Sequence, residues 1–402
     1  MTKLKSIDEL KEYRDSLKKA KDPKKVIVSV CGGTGCLALG AEAVINAFLE
    51  KIKEYKLENV DLVVTGCPGF CERGPVVVIS PKQIFYQKVT IKDVEDIISS
   101  TILKDELIER LLYCDSADSK KIIYENEVPF YAKQKRIVLA NNGRIDPTKI
   151  SDYIELDGYS ALAKALKSMS PTDVIEEVKA SGLRGRGGAG FPTGLKWEFC
   201  RKAKGEPKYL ICNADEGDPG AFMDRAVLEG NPHLVIEGML IAAYAIGSEQ
   251  GYVYVRAEYP LAIKNIKAAT AQAEEMGLLG ENILGTNFSF SLKIKEGAGA
   301  FVCGEETALI TSIEGNRGMP HPRPPFPAQS GLWEKPTNIN NVETFANIQY
   351  IILEGGKEYA KLGTGTSKGT KVFALSGKIN NTGLIEVPMG TTLRQVIFDV
   401  GS

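Results

Sequence analysis

Four cysteines stand in two tight pairs, Cys31-Gly-Gly-Thr-Gly-Cys36 and Cys67-Pro-Gly-Phe-Cys71. Each pair follows a run of residues that reads as a strand. Thiolates are soft ligands, and four of them suit zinc or an iron–sulfur cluster. Structural zinc sites use pairs of similar spacing, so spacing alone leaves both open. Gly32, Gly33, Gly35, Gly66 and Gly69 favour a cluster, because they keep side chains away and leave backbone N–H groups for bridging sulfide. Free structural thiols are the third reading. Cys114, Cys200, Cys212 and Cys303 are isolated, share no ligand spacing, and read as buried or incidental thiols.

Four further segments carry polar chemistry. Leu183-Arg-Gly-Arg-Gly-Gly-Ala-Gly-Phe-Pro-Thr-Gly-Leu-Lys-Trp197 is too rich in glycine for regular structure. It suits a loop whose N–H groups approach a phosphate, with Lys196 as a point charge and Phe191 as a stacking face. No strand is evident just before it and no GK[ST] ending follows, so it is neither a dinucleotide fingerprint nor a Walker loop. Cys212-Asn-Ala-Asp-Glu-Gly-Asp-Pro-Gly-Ala-Phe-Met-Asp-Arg225 packs carboxylates at a strand end, open to metal ligation, ribose recognition or helix capping. Gly297-Ala-Gly-Ala-Phe-Val-Cys-Gly-Glu-Glu-Thr-Ala-Leu309 brings two glutamates to a helix start, where the helix dipole alone would favour them. The amides and hydroxyls of Lys335-Pro-Thr-Asn-Ile-Asn-Asn-Val-Glu-Thr344 suit either a ligand's polar edge or a helix cap.

The elements that must position these residues belong to an α/β protein. The 402 residues imply two or three domains. A formal net charge of -1 argues against a broad nucleic-acid surface. No run is long and apolar enough for a membrane span, and Met1–Lys25 lacks a secretory apolar core. A cytoplasmic location is therefore expected. With only His233 and His321, histidine acid–base catalysis is disfavoured, and chemistry carried by a bound cofactor fits better. Ser6 and Glu9 suggest a capped helix with Ile7, Leu10 and Leu17 on one face. Strands are expected at 26–30, 62–65, 76–79 and 84–89, a helix at 41–56 with Val44, Ile45, Phe48 and Ile52 as its stripe, and another at 91–98. Residues 114–142 show no sustained period and read as a connector. Beyond Asp146 alternating patterns suggest a mainly parallel sheet, with strands at 209–212, 252–255 and 290–294 and a buried helix at 235–246. The prolines of 320–327 require an extended loop. Short strands at 372–375 and 384–387 suggest a third, small domain.

The cysteine pattern over residues 24–100 resembles the thioredoxin-like [2Fe–2S] ferredoxins. The four segments beyond residue 145 resemble the flavoprotein subunit of complex I and its relatives in NAD-linked hydrogenases and formate dehydrogenases. The fused arrangement is similar to the β subunits of soluble, electron-bifurcating hydrogenases. That resemblance implies a helix over 1–22, a thioredoxin-like domain over 23–113, a linker over 114–145, a Rossmann-like FMN domain over 146–345, and over 346–402 a connecting helix and the start of a ubiquitin-like β-grasp (SLBB) domain.

It also implies the site. Cys31, Cys36, Cys67 and Cys71 would hold [2Fe–2S]. FMN would meet Gly185, Arg186, Gly187, Gly188, Lys196, Asn213, Asp215, Gly304, Glu305, Asn340, Asn341 and Thr344. NADH would meet Phe191, Phe199, Glu216, Asp218, Phe301, Glu306 and Phe326. Glu306 beside a ribose would repel a 2′-phosphate, favouring NAD over NADP. Asp218 stands where relatives often carry glutamate, and Phe301 where many have tyrosine. The implied chemistry is hydride transfer between nicotinamide and flavin, then single-electron relay to iron–sulfur partner subunits of a hydrogenase, formate dehydrogenase or quinone-reducing complex. No residue acts as general acid or base. The family's [4Fe–4S] ligands lie downstream of the last residue here, so the chain is expected to be a fragment. The competing expectation is a non-catalytic redox sensor or scaffold with the same fold.

Overall fold

The computed structural model describes residues 3–114 and 119–401; residues 1–2 of the expected N-terminal helix, 115–118 of the expected linker and Ser402 lie outside them. The chain divides into two compact units.

One unit comprises residues 19–146, 373–387 and 391–402. Its sheet has the order β2-β1-β3-β4, formed by β1 (Val26–Cys31), β2 (Val60–Thr65), β3 (Val77–Ser80) and β4 (Ile84–Tyr86). β1 and β2 are parallel, with Cys31 opposite Thr65. The Ala41–Glu54 helix makes the crossover that a parallel pair requires. Of its expected stripe, Val44 and Phe48 are fully buried. Parallel pairing sends both cysteine loops off the same end of the sheet.

Residues 121–142, within the stretch expected as a connector, carry core residues of this unit instead. Phe130, Tyr131, Val138 and Leu139 are buried, and Phe130 stacks on Phe70 at 4.0 Å. These residues pack from short turns and one short helix, Pro129–Ala132, so no periodicity marks them. The two short strands expected near the C-terminus form. Gly383–Pro388 pairs with Thr370–Leu375, and residues 373–387 group with this unit rather than standing apart. The reason is a buried carboxylate: Glu386 accepts the backbone N–H groups of Ile137, Val138 and Leu139 at 2.9–3.1 Å.

The other unit comprises residues up to 18, 147–372 and 388–390. Its sheet is wholly parallel, in the order β8-β5-β6-β7, from β5 (Tyr209–Ala214), β6 (Gln250–Arg256), β7 (Ser291–Gly297) and β8 (Thr337–Asn341). Chain order runs outward from β5 through β7, and β8 then returns to the opposite side of β5. Such a switch in direction opens a crevice at the carboxyl ends of the two diverging strands. The Pro232–Ile246 helix is buried along its length except at Tyr244, as its unbroken apolar run requires. In the Ile7–Ala20 helix only Leu10 of the expected apolar face is fully buried. The proline run 320–327 forms no helix or strand. Among the described residues no helix is long and apolar enough to cross a membrane.

Candidate functional site

The glycine-rich segment begins where the Pro171–Ser181 helix ends on Gly182, whose φ of 64° is left-handed. The loop closes on itself through Gly185 N–H to Phe191 O and Thr193 N–H to Leu183 O, both 2.9 Å. Gly188, at φ +108°, holds a backbone shape that a side chain would strain. At Gly187 a Cβ would come within 3.2 Å of the Asn341 Cβ. A side chain there would press on Asn341, so bare backbone lets the loop lie close against β8.

Between the loop and the carboxyl ends of β5 and β8 opens a cavity of about 980 Å³. Its size is at the upper end of the roughly 300–1,000 Å³ typical of small-molecule sites. Gly185, Gly187, Lys196, Asn213, Gly304, Glu305, Asn340, Asn341 and Thr344 line it, as do Phe191, Phe199, Phe326 and Glu306. The three phenylalanines keep about half their surface open, at 47%, 52% and 54%. Flat apolar faces left this open suit a planar ring.

Polar lining groups are held in fixed orientations. Asn213 donates to Gly304 O at 2.9 Å and accepts from Asp215 N at 3.0 Å. Asn340 Oδ1 accepts from Trp197 Nε1 at 2.9 Å, and Thr344 Oγ1 accepts from Arg186 N at 2.9 Å. Glu305 caps the Glu306–Ile313 helix by accepting from Thr307 N and Ala308 N. Burial opposes its charge, but these bonds hold its carboxyl below the usual range. Glu306 joins two cations, Lys196 at 3.1 Å and Arg323 at 2.7 Å.

Six expected contacts do not line the cavity. The Arg186 guanidinium is buried and donates to Arg184 O, Lys368 O, Thr370 O and Tyr359 Oη, bracing the loop from behind. Gly188 shapes the loop without lining the space. Glu216 is buried and caps the Met223–Gly230 helix through Met223 N, Asp224 N and Arg225 N, so its carboxylate is already spent on backbone. Asp218 is exposed, and Phe301 packs over Gly217, where a Cβ would meet its ring at 2.7 Å. Asp215 lies behind Gly304, 3.6 Å from where a Cβ would sit. Both its carboxylate oxygens are buried without a hydrogen-bond partner. Burial pushes its carboxyl up to about 6, against the pull of Arg256. Conversely, Lys202, Arg323 and Gln329 line the cavity without having been expected there. Lys202 and Arg323 are the two that a charge scan could have found, Arg323 standing three residues before Phe326 in the proline loop.

The thiols form the second candidate site. Cys31, Cys36 and Cys67 are buried and Cys71 is partly exposed. Cys67 Sγ lies 3.6 Å from Cys71 Sγ, and the Cys31 thiol contacts those of Cys36 and Cys67. Gly69 N–H points at Cys67 Sγ from 3.3 Å. Bonds from the Cys31 and Cys71 thiols, with the Gly69 N–H and the Arg136 charge, hold the Cys67 thiol well below the usual range despite burial. A Cβ at Gly33 would meet Cys67 Cβ at 2.8 Å, and one at Gly74 would meet Cys36 Sγ at 2.7 Å. Among the described residues no three potential ligands gather about a single metal point. The four thiols run as neighbours, Cys36 to Cys31 to Cys67 to Cys71, which suits ligands divided between two irons. Arg136 and Asn142 brace this loop by donating to Pro68 O and Cys67 O. Of the other cysteines, Cys200, Cys212 and Cys303 are buried and Cys114 is exposed.

Residues 178–350 match the family model of the Nuo51 FMN-binding domain, and residues 13–101 that of the thioredoxin-like [2Fe–2S] ferredoxin. Residues 178–350 thus form a Nuo51-type flavoprotein domain, with a thioredoxin-like [2Fe–2S] domain fused ahead of it. It is 65% identical over 269 residues to the NADP-reducing hydrogenase subunit HndC of Solidesulfovibrio fructosivorans, covering 67% of this chain and 54% of the relative. It is 52% identical over 249 residues to an NADH-quinone oxidoreductase subunit of Aquifex aeolicus, covering 62% and 58%. The chain thus spans little more than half the length of those relatives. An NAD⁺-reducing [NiFe]-hydrogenase in its air-oxidised state matches 97% of this chain and 64% of its own, at a TM-score of 0.57 and 28% identity.

Proposed function

We propose that this chain binds FMN in the crevice between β5 and β8 and NAD(H) over it, and that it serves as the nicotinamide-oxidising or -reducing part of a larger redox assembly. The observation that carries this reading is the convergence, on one cavity, of the glycine loop, the Gly304–Glu306 turn and the Asn340–Thr344 segment. Bound FMN supplies a carrier that accepts two electrons together and releases them singly, and the protein's part is to bind and orient.

The residues present fit that group. The bare backbone at Gly185, Gly187 and Gly304 leaves room for a broad ring, and Lys196 brings a cation to the wall. Asp215, next to the Gly304 turn, is a buried acid whose two oxygens have no hydrogen-bond partner. Arg186 and Gly188 act on the loop's shape. Phe191, Phe199 and Phe326 offer a platform for adenine, and a 2′-phosphate would have to compete with Glu306 for Lys196 and Arg323. The presence of Arg323 and Lys202 on the same wall favours a second reading, NADP(H), in keeping with the name of the HndC relative.

Cys31, Cys36, Cys67 and Cys71 would hold the [2Fe–2S] cluster. From the family resemblance, partners would be iron–sulfur subunits of a hydrogenase or dehydrogenase, with a [4Fe–4S] cluster next in the relay and a cytoplasmic setting. The strand pair Thr370–Leu375 and Gly383–Pro388 would open a ubiquitin-like domain. Protein purified without oxygen should be yellow-brown after reconstitution with FMN, iron and sulfide. NADH, or NADPH on the second reading, should bleach its flavin band. A colourless, zinc-loaded protein indifferent to both would support a sensor or scaffold instead.

A further inference from the structure

We propose that Asp224 is a positioning residue for the cavity: it holds the Asn341 carboxamide so that an N–H, and not the carbonyl, is left for a ligand. The inference rests on the reading of that cavity as a flavin site. Asn341 lines the cavity, directly beside Gly187. Its Oδ1 is taken by the N–H groups of Glu343 at 2.9 Å and Thr344 at 3.4 Å. Its Nδ2 donates one hydrogen to Asp224 Oδ2 at 2.6 Å. A carboxamide nitrogen carries two hydrogens, so one donor remains. The ligand atom placed there must be an acceptor.

The surroundings explain why an acid can fill this role. Asp224 is only 4% exposed, and its second oxygen, Oδ1, is buried without a partner. Glu216 is bound by helix N–H groups, and Glu343 is paired with Lys371 and bonded to Val372 N. Burial, then the charges of Glu216 and Glu343, push the Asp224 carboxyl well above the usual range, with Lys371 and the Asn341 bond pulling the other way. A neutral acid still accepts through Oδ2 and adds no charge beside the cavity. Asparagine at position 224 would reproduce that acceptor; leucine would remove it.

The test is FMN titration into flavin-free protein, followed by fluorescence quenching and by the shape of the bound flavin's visible band, with thermal melts of the flavin-free forms alongside. Asp224→Leu should weaken FMN binding by about tenfold, the worth of one oriented hydrogen bond. It should also shift the visible band of the complex. Asp224→Asn should stay within about threefold of the parent. Unchanged binding in Asp224→Leu, or equal loss in both variants, would overturn the proposal. Should Asp224→Leu fail to fold, Asn341→Asp keeps the helix-capping oxygen but removes the donor. It should lose about tenfold as well, and parental affinity there would overturn the proposal. If the parent protein itself takes up no FMN, the flavin reading falls and this inference falls with it.

Discussion

Both candidate sites sit where parallel strands end, yet they are built differently. The thiol site draws its ligands from two short stretches, each just past the carboxyl end of β1 or β2. The cavity draws its walls from segments more than a hundred residues apart, gathered where β8 returns beside β5. A local site announces its ligands by spacing and conceals its bracing. A site assembled across a crevice announces glycine loops, and conceals which of its charged residues face inward.

The widest separation expected between the two sites is in Cys67→Ser. That sulfur touches two other thiols and a backbone N–H, so its loss should abolish the iron–sulfur absorbance of reconstituted protein while FMN uptake stays intact. A joint loss of both would mean that the two sites are not independent. Arg186→Ala comes next. Removing the guanidinium takes away its hydrogen bonds to the Arg184, Lys368 and Thr370 carbonyls and to Tyr359, and the cost should be about 3 kcal/mol of stability. Denaturant unfolding of the flavin-free protein measures it. A variant equally stable but unable to bind FMN would instead make Arg186 a ligand contact.

The smallest effect concerns Asp215. Its carboxyl is raised in the folded chain to about 6. Folding therefore favours its protonated form, and this contribution is complete below the unfolded value near 3.8 and is lost as pH rises through about 6. Asp215→Asn should stabilise the flavin-free protein by about 1–2 kcal/mol at neutral pH and by little near pH 4. Melting curves at the two pH values check this, and a pH-independent difference would count against burial as the cause.

Much of this was legible in the sequence, for reasons that differ by residue. Glycine loops, strand runs and the Pro232–Ile246 helix are local patterns, and the structure follows them. Phe130, Val138 and Leu139 were not legible, because irregular packing leaves no period. Glu216 and Arg186 illustrate the harder failure. Each is charged, lies within a recognisable motif, and is consumed by backbone groups: helix N–H groups for the acid, loop carbonyls for the cation. Charge in a motif identifies a residue that needs partners, and only the folded chain reveals whether the partner is a ligand or the chain itself. Arg323 is the converse, a cation in a loop notable only for its prolines.

The central claim is that the crevice beside β8 is the flavin site, and Gly187 tests it most directly. Gly187→Val would set side-chain bulk against Asn341, where even a Cβ would lie at 3.2 Å. Titrating FMN into flavin-free protein should give saturable fluorescence quenching with the parent chain and none with the variant, at matched melting temperatures. Undiminished quenching with the variant would contradict the assignment.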